Sequence, residues 1–166
     1  MLQGQQLFND VLKEVENWNP TKEYNHESKF QNELKEVLDK QLNSEGRGIM
    51  GRQKDIPVDR ERGKSNADLA VDDTVGIEMK RNLSNSQVDR LSGQIDKYLN
   101  EYPFVIICAC GIEDKSGWRR LKNKFQGSQG IEGGQVEFIW KKKENYGKSQ
   151  QGDDSGEGDM FGEPLF

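Results

Sequence analysis

ADLAVDDTVGIEMKRN, residues 67–82, is the stretch of sequence that decides the predicted fold. On both sides of a polar turn at 72–74, large apolar side chains occupy alternate positions. This period of two is typical of strands with one apolar face. The stretch therefore predicts a β-hairpin, in which a turn centred on Asp73 pairs Val71 with Val75.

The same register brings three charged side chains to one small patch. Asp68 lies opposite Glu78, and directly opposed residues of an antiparallel pair have Cβ atoms about 5 Å apart. Lys80 is two residues beyond Glu78 and therefore points to the same face. Two carboxylates this close need a cation between them, and hard oxygen ligands suit Mg²⁺. The hairpin is therefore predicted to hold a metal ion.

An E-x-K triplet alone is weak evidence for such a site, because it recurs in this charged chain. The triplet begins at Glu27, Glu33, Glu78 and Glu113. Only the third lies in a strand pattern with an aspartate in register across a hairpin. The alternative for this patch is a solvated strand face with cross-strand salt bridges. Like charges directly opposite each other disfavour that alternative in the absence of a cation.

Apolar periodicity predicts the other elements of the chain. Helices are predicted over 5–18, 26–43, 86–102 and 116–125. Further strands are predicted over 53–58, 104–109 and 136–140, with a polar turn at 60–66. The order α, α, β, β-hairpin, α, β, α, β predicts a mixed α/β domain, with a central sheet flanked by helices. We expect a helix that packs on the core in residues 1–25, the main domain in 26–146, and a tail in 147–166.

Composition limits the classes of function. The chain has 166 residues, of which 32% are charged and 32% hydrophobic, and a net charge of −5. It has no apolar run of membrane-spanning length and no signal-peptide pattern, which predicts a soluble, cytoplasmic protein without a membrane partner. Cys108 and Cys110 stand in an apolar run and are predicted to be small buried hydrophobes. The single histidine, His26, excludes histidine-based zinc sites and Ser-His-Asp triads.

Basic side chains are clustered although the chain is acidic on average. The segments 47–64 and 115–147 carry net charges of +3 and +5. Such clusters can neutralise phosphates, and solvated basic faces are the alternative. The side chains predicted to contact nucleic acid are Arg52, Lys54, Arg60, Arg62, Lys64, Arg81, Arg119 and Arg120.

Asp68, followed after nine residues by Glu78-Met79-Lys80, resembles the core pattern of the PD-(D/E)xK, or restriction-endonuclease-like, nuclease superfamily. The proline of the pattern is absent, since Asn66 or Ala67 stands there. The resemblance extends over about residues 26–142, where the predicted elements match the αβββαβ core of the family. It is strongest to nucleases of the Mrr and RecB types and to Holliday-junction resolvases.

The resemblance implies a role for each matched position. Asp68, Glu78 and Lys80 are expected to be catalytic, with Glu33 of the second helix and Gln94 of the third supporting them. The metal ligands are expected at Asp68, Glu78, Glu33 and Met79. Mg²⁺ is the expected cofactor, with Mn²⁺ as a substitute. In this scheme the metal activates a water molecule, and Lys80 orients that water or stabilises the charge that develops on the phosphate.

The function implied by the resemblance is that of a Mg²⁺-dependent endonuclease, a phosphodiester hydrolase acting on DNA. Small members without a specificity domain often recognise the structure of the DNA that they cut. The expected substrate is therefore branched DNA such as a Holliday junction, and the expected role is in DNA repair. Such resolvases act as symmetric homodimers, although this sequence shows no interface. The alternative from another class is a non-catalytic module of the same fold that binds nucleic acid or a protein partner.

The acidic tail 147–166 lacks the apolar content to fold alone and is predicted to be disordered. Its end, Met-Phe at 160–161 and Pro-Leu-Phe at 164–166, resembles the Phe-ended tails of bacterial single-stranded DNA-binding proteins and, loosely, sliding-clamp peptides. The resemblance implies a motif that docks a replication or repair protein or competes with DNA for the basic face. Aromatic residues that are merely tolerated at a chain end are the alternative.

Overall fold

The structure of the protein is a computed structural model that describes residues 4–43, 55–63, 66–125 and 135–148, with Arg62 described through its backbone only. The helices are α1 (Gln5–Asn17), α2 (Glu27–Leu42), α3 (Asn85–Leu99) and α4 (Lys115–Phe125). The strands are β1 (Val58–Arg62), β2 (Ala67–Val71), β3 (Val75–Leu83), β4 (Phe104–Ile112) and β5 (Gln135–Lys141). A short 3₁₀ turn, Lys143–Asn145, follows the last strand.

The five strands form one open sheet in the order β1-β2-β3-β4-β5. The first two pairings, β1 with β2 and β2 with β3, are antiparallel. The pairings of β3 with β4 and of β4 with β5 are parallel, and the crossovers between these strands contain α3 and α4. The predicted α/β class, with a mixed central sheet flanked by helices, is therefore confirmed.

Helices cover both faces of the sheet, which gives the protein two hydrophobic clusters. On one face, α1 and α2 bury Phe8, Val11, Phe30 and Leu34 against the alternate strand positions that include Ile77 and Met79. The Phe8 ring stacks on Phe104 of β4, with ring centroids 4.6 Å apart. On the other face, α3 and α4 bury Leu91, Ile95, Trp118 and Leu121 against positions that include Ala70 and Ile107. Glu78 and Lys80 alternate with Ile77 and Met79 along β3, so they belong to the face that α3 and α4 cover.

The first strand lies further along the chain than the sequence predicted. Residues 55–57 are not in a strand, and β1 begins at Val58 and runs into the predicted polar turn. Ile56 cannot pair with another strand, because the Asn43 side chain holds both its N–H, at 2.6 Å, and its carbonyl oxygen, at 3.0 Å. Pro57 has no N–H to offer. The prediction of a strand over 53–58 is therefore wrong for residues 55–57 and right for Val58, while residues 53 and 54 lie outside the described residues.

The hairpin has the predicted register. Val71 pairs with Val75 and Leu69 with Ile77. Beyond that last pair the two backbones no longer form a ladder, although β3 continues to Leu83 alongside β4. Asp68 and Glu78 are the next residues in register, and they stand where β2 and β3 diverge.

The start of the predicted tail is attached to the domain. The Gly147 N–H donates to the carbonyl oxygen of Pro20 at 2.8 Å, and the Asn19 amide donates to the carbonyl oxygen of Lys148 at 3.1 Å. Residues 149–166, with the predicted docking motif, lie outside the described residues. Among the helices that the structure describes, none is long and apolar enough to cross a membrane.

Candidate active site

Where β2 no longer pairs with β3, two carboxylates accept hydrogen bonds from backbone N–H groups of β3. The Met79 N–H donates to Oδ2 of Asp68 at 2.8 Å. Two residues further on, the Arg81 N–H donates to Oε2 of Glu27, in the first turn of α2, at 3.0 Å. Alternate residues of a strand direct their N–H groups to the same edge, so both carboxylates lie along the edge that β2 leaves open. The end of the hairpin ladder therefore creates an acidic recess beside β3.

Glu78 and Lys80 form a buried ion pair next to this recess. Their exposed fractions are 2% and 9%, and Lys80 Nζ lies 3.1 Å from Oε2 of Glu78. Tyr98 of α3 donates its hydroxyl proton to the other oxygen, Oε1, at 2.5 Å. The burial rules out the solvated strand face that the sequence left as an alternative for these two residues. A buried charge of this kind is retained only when it is paired and hydrogen-bonded, as Glu78 is.

The electrostatics of the site centre on Asp68. Burial and the negative charge of Glu78 raise the pKa of the Asp68 carboxyl from 3.8 to about 7. The Met79 N–H and the Lys80 ammonium lower this pKa, whereas Glu27 raises it further, so the net effect is upward. The same carboxylates and burial raise the pKa of the Tyr98 hydroxyl, which keeps it a hydrogen-bond donor. Burial and the negative charge of Glu78 therefore favour a proton or a cation at Asp68.

The donor set suits a hard divalent cation. Within the described ranges, no three His, Cys, Asp or Glu side chains form a group that could hold a metal ion. Mg²⁺ does not require such a group, because proteins usually bind it through one or two carboxylates together with water and substrate phosphates. Asp68 and Glu78 supply two such carboxylates, and their mutual repulsion is the feature that a cation would relieve. The residues present therefore fit Mg²⁺.

The structure places Glu33 away from this site. Its carboxylate accepts hydrogen bonds from the Trp18 indole at 3.1 Å, the Thr21 backbone N–H at 3.0 Å and the Tyr24 hydroxyl at 2.8 Å. These groups belong to the segment between α1 and α2, which Glu33 holds against α2. The helix glutamate that the structure brings to β3 is Glu27. Glu33 therefore does not join Asp68, Glu78 and Met79, so the expected set of four ligands is incomplete in the structure.

Sequence reasoning missed Glu27 for a physical reason. Its E-x-K triplet lies in a predicted helix, and the resemblance implied Glu33 as the glutamate of that helix. The useful signal is that Glu27 opens α2, where a carboxylate can reach beyond the helix end to a neighbouring strand. Nothing in the sequence shows that Tyr98 donates to Glu78.

Gln94 lies on the α3 face that covers the ion pair. It is one helical turn before Tyr98, and Cβ atoms so spaced are about 5–6 Å apart. Its Oε1 atom is buried and has no hydrogen-bond partner within the described part of the chain. A buried acceptor without a partner is costly, and it indicates a ligand or a water molecule that completes its bonding. The expected supporting role of Gln94 at the site stays a prediction.

Met79 contributes through its backbone. Its side chain is 1% exposed and packs in the cluster under α1 and α2, on the face opposite Glu78. Its N–H is the group that holds Asp68. The structure therefore gives Met79 a role in orienting a carboxylate, whereas its expected role as a metal ligand stays a prediction.

The predicted nucleic-acid contacts fall into three groups. Arg119 and Arg120 are exposed on α4, on the side of the sheet that carries Glu78. Two others make contacts within the domain: Arg60 donates to the side chains of Gln31 and Asn32, and Arg81 Nε donates to the Tyr24 carbonyl oxygen. The remaining four are Arg52, Lys54 and Lys64, which lie outside the described residues, and Arg62, whose side chain is not described.

Comparisons with protein-family models, with curated proteins and with solved structures find no match to this chain.

Proposed function

We propose that the protein is a metal-dependent nuclease of the PD-(D/E)xK type that hydrolyses phosphodiester bonds in DNA. The observation that carries the proposal is the buried Glu78–Lys80 pair with the half-buried Asp68 beside it, at the point where β2 and β3 diverge. The succession α2, β1, β2, β3, α3, β4 supports a restriction-endonuclease-like core around that group, since it is the order expected for this core.

Asp68 and Glu78 would hold the metal, and Glu27, which accepts a hydrogen bond from the Arg81 N–H, would add negative charge near Asp68. A bound Mg²⁺ or Mn²⁺ would lower the pKa of a water ligand and neutralise charge on the scissile phosphate. In the absence of a cation, the raised pKa of Asp68 means that this carboxyl holds a proton up to about pH 7. Cation binding therefore competes with protonation, and affinity for the metal increases as the pH rises towards 7 and beyond.

Three further side chains have defined tasks in this proposal. Lys80 holds an ammonium group beside Glu78 in a buried environment, where it can stabilise the negative charge that develops on the phosphate. Tyr98 keeps the Glu78 carboxylate in one orientation through its hydroxyl. Gln94 offers a buried acceptor for a water molecule or another ligand of the site, and it cannot act as a base.

The basic helix α4 favours a polyanionic substrate. Arg119 and Arg120 are exposed on the sheet face where Glu78 and Lys80 lie, so phosphates on either side of a scissile bond can reach them. These contacts carry no sequence information by themselves. We therefore propose selection by DNA structure, with branched DNA such as a four-way junction as the substrate class, and a role in DNA repair.

One observation favours a non-catalytic binding module of the same fold. Both oxygens of Glu78 are already engaged, one by the Tyr98 hydroxyl and the other by Lys80 Nζ. Glu78 must exchange one of these partners for a cation in the nuclease, whereas a structural ion pair needs no exchange. The two functions therefore differ in whether a divalent cation reaches Glu78.

Cleavage assays with labelled duplex, single-stranded and four-way DNA, with and without Mg²⁺ or Mn²⁺, test the proposal. We expect cation-dependent cleavage that Glu78→Gln and Lys80→Ala each reduce by about 100-fold or more, because each removes charge stabilisation at the reacting phosphate. Lys35→Ala is the matched control, since Lys35 pairs with Asp39 on α2 and not with Glu78. Cleavage that survives both site variants, or DNA binding without any cleavage, would establish the binding module instead.

A further inference from the structure

The two edges of the sheet differ in chemistry. The edge strand β1 reads Val-Asp-Arg-Glu-Arg, and alternating charges of this kind protect an edge from pairing with other chains. The opposite edge, β5, reads Gln-Val-Glu-Phe-Ile-Trp-Lys. Within the described ranges β5 pairs with β4 alone, so its outer backbone groups face no other strand.

Apolar side chains on β5 are incompletely covered. Phe138, Ile139 and Trp140 are only half-buried, whereas seven consecutive residues of the neighbouring strand β4, residues 104–110, are fully buried. Phe138 and Trp140 pack beside α4, and Ile139 packs on the α1 side of the sheet. Both faces of the edge strand therefore present apolar surface next to unpaired backbone, a combination that favours the addition of another strand.

The sequence of β5 is self-complementary about Ile139. If two β5 strands run antiparallel with Ile139 opposite its own copy, Glu137 faces Lys141 and Phe138 faces Trp140. Each pairing occurs twice, as a two-fold interface requires. Opposite charges and aromatic pairs are the cross-strand neighbours that stabilise antiparallel sheets. A shift of the centre to Phe138 or to Trp140 loses both pairings, because it places Ile139 opposite Glu137 or Lys141.

Lys141 provides an independent reason for a carboxylate at this edge. Its side chain is 5% exposed, and its Nζ donates to the carbonyl oxygen of Glu16 at 2.9 Å. In the part of the chain that the structure describes, it forms no salt bridge with a carboxylate. Burial lowers the pKa of the Lys141 ammonium, which shows that the charge is incompletely compensated. A second copy would bring Glu137 to this ammonium.

We propose that two copies of this chain associate through β5, with the strands antiparallel about a two-fold axis at Ile139. The two sheets then join into one sheet of ten strands. The axis is perpendicular to that sheet, so corresponding faces of the two copies lie on the same side. The partner is a second copy and not DNA, because the pairing uses backbone groups and the acidic side chain of Glu137.

The arrangement also has a consequence that rests on the proposed function. The two β3 strands are separated by five strand spacings of about 4.8 Å, or roughly 24 Å. Glu78 and Lys80 of both copies belong to the same face of the joined sheet. Two cleavage sites at this separation and on one side suit a substrate in which two strands of branched DNA are cut by one dimer.

Sedimentation of the full chain and site-directed cross-linking test the interface without reference to cleavage. We expect a concentration-dependent dimer, and we expect Ile139→Cys to form an inter-chain disulfide on oxidation, because the two Cβ atoms are about 5 Å apart. Gln135→Cys is the matched control on the same strand. The two copies of residue 135 are eight residues apart along the strands, or roughly 27 Å, and cannot form a disulfide.

Ile139→Lys places like charges opposite each other and should give a monomer with an unchanged circular-dichroism spectrum. A wild-type chain that sediments as a monomer at every concentration overturns the proposal. A dimer that cross-links equally at positions 135 and 139, or does not cross-link at 139, also overturns it. If Trp140→Ala weakens DNA binding of a monomeric chain, β5 is a nucleic-acid contact and the proposal is wrong.

Discussion

Two half-buried carboxylates in this protein, Glu33 and Asp68, differ in what surrounds them. Around Glu33, the described hydrogen-bond partners are donors: the Trp18 indole, the Thr21 backbone and hydroxyl, and the Tyr24 hydroxyl. Around Asp68, the Met79 N–H is the donor, and the neighbouring side chains include two carboxylates, Glu78 and Glu27. The first cluster satisfies its charge, and the second one brings like charges together.

This difference separates a structural carboxylate from a candidate functional one. A carboxylate that only accepts hydrogen bonds lowers the free energy of the folded chain and needs nothing more. A pair of carboxylates that raises the pKa of one member costs stability, and it persists where a ligand or a reaction makes use of it. Glu33 therefore belongs to the architecture, and Asp68 with Glu78 belongs to the chemistry proposed above.

The largest expected effect that tests this comparison is on cleavage. Asp68→Asn should reduce cation-dependent DNA cleavage by about 100- to 1000-fold, because the variant loses a charged oxygen ligand for the metal. Asparagine still accepts the hydrogen bond from Met79, so the fold is retained. Glu33→Gln should leave the rate per folded molecule unchanged. Single-turnover cleavage of both variants at equal folded concentration decides the point, and a larger loss in Glu33→Gln would reverse the assignment.

The next effect is on the pH dependence of stability. The pKa of Asp68 is raised from 3.8 to about 7 in the folded chain, so the folded state binds a proton that the unfolded state releases between these values. The free energy of unfolding should therefore fall as the pH rises from about 4 to 7, by on the order of 3 kcal/mol more in the wild type than in Asp68→Asn. Urea denaturation at several pH values without divalent cations measures this difference. If the free energy of unfolding changes equally with pH in the two proteins, the pKa of Asp68 is not raised in the folded chain.

A smaller effect concerns the stability of the Glu33 cluster. Glu33→Gln should lower the free energy of unfolding by about 2 kcal/mol. The side-chain nitrogen of glutamine is a donor, so it cannot accept the hydrogen bonds that a carboxylate oxygen accepts there. The loss should be the same at pH 5 and pH 8 and unaffected by Mg²⁺. Thermal denaturation with and without Mg²⁺ provides the measurement. A Mg²⁺-dependent difference between the variant and the wild type would connect Glu33 to the metal.

The smallest effect is expected at Tyr98. Tyr98→Phe removes the hydroxyl that donates to Glu78, so one oxygen of that buried carboxylate loses its hydrogen-bond partner. The rate of cation-dependent cleavage at equal folded concentration should therefore fall by less than about tenfold, because Glu78 is held less firmly in one orientation. The rate for Leu99→Ala, at the next position of the same helix, should stay at the wild-type value. An unchanged rate in Tyr98→Phe would show that its hydrogen bond does not act on the reacting group.

Local patterns predicted most of the fold and the proximity of Asp68 and Glu78. The alternation in 67–82 predicted the hairpin register, and this register is what places Asp68 beside Glu78. The order of helices and strands followed from apolar periodicity. The start of β1 did not, because it depends on the Asn43 side chain, which occupies the backbone groups of Ile56. A contact between a helix end and a residue 13 positions later leaves no periodic signal in the sequence.

The supporting residues of the site depend on how the helices approach the sheet. Glu27 and Glu33 both lie on α2, and only the packing of that helix decides which one reaches β3. Hydrophobic periodicity predicts which side of α2 is buried, but it does not predict what a side chain in the first turn of the helix contacts. Gln94 and Tyr98 are one helical turn apart on α3, and the role of Gln94 at the site stays a prediction.

The capping of β3 by Asp68 and Glu27 has a consequence for relatives of this chain that lack the proposed activity. Both carboxylates satisfy backbone N–H groups that β2 leaves without a partner, so a chain without that activity would still be selected to keep them. Among the described residues, the Glu78 carboxylate bonds with Lys80 and Tyr98, and a buried ion pair can be exchanged for two apolar residues with little loss of stability. Under the proposed function, the joint retention of Glu78 and Lys80 therefore separates active relatives from inactive ones, whereas the retention of Asp68 does not.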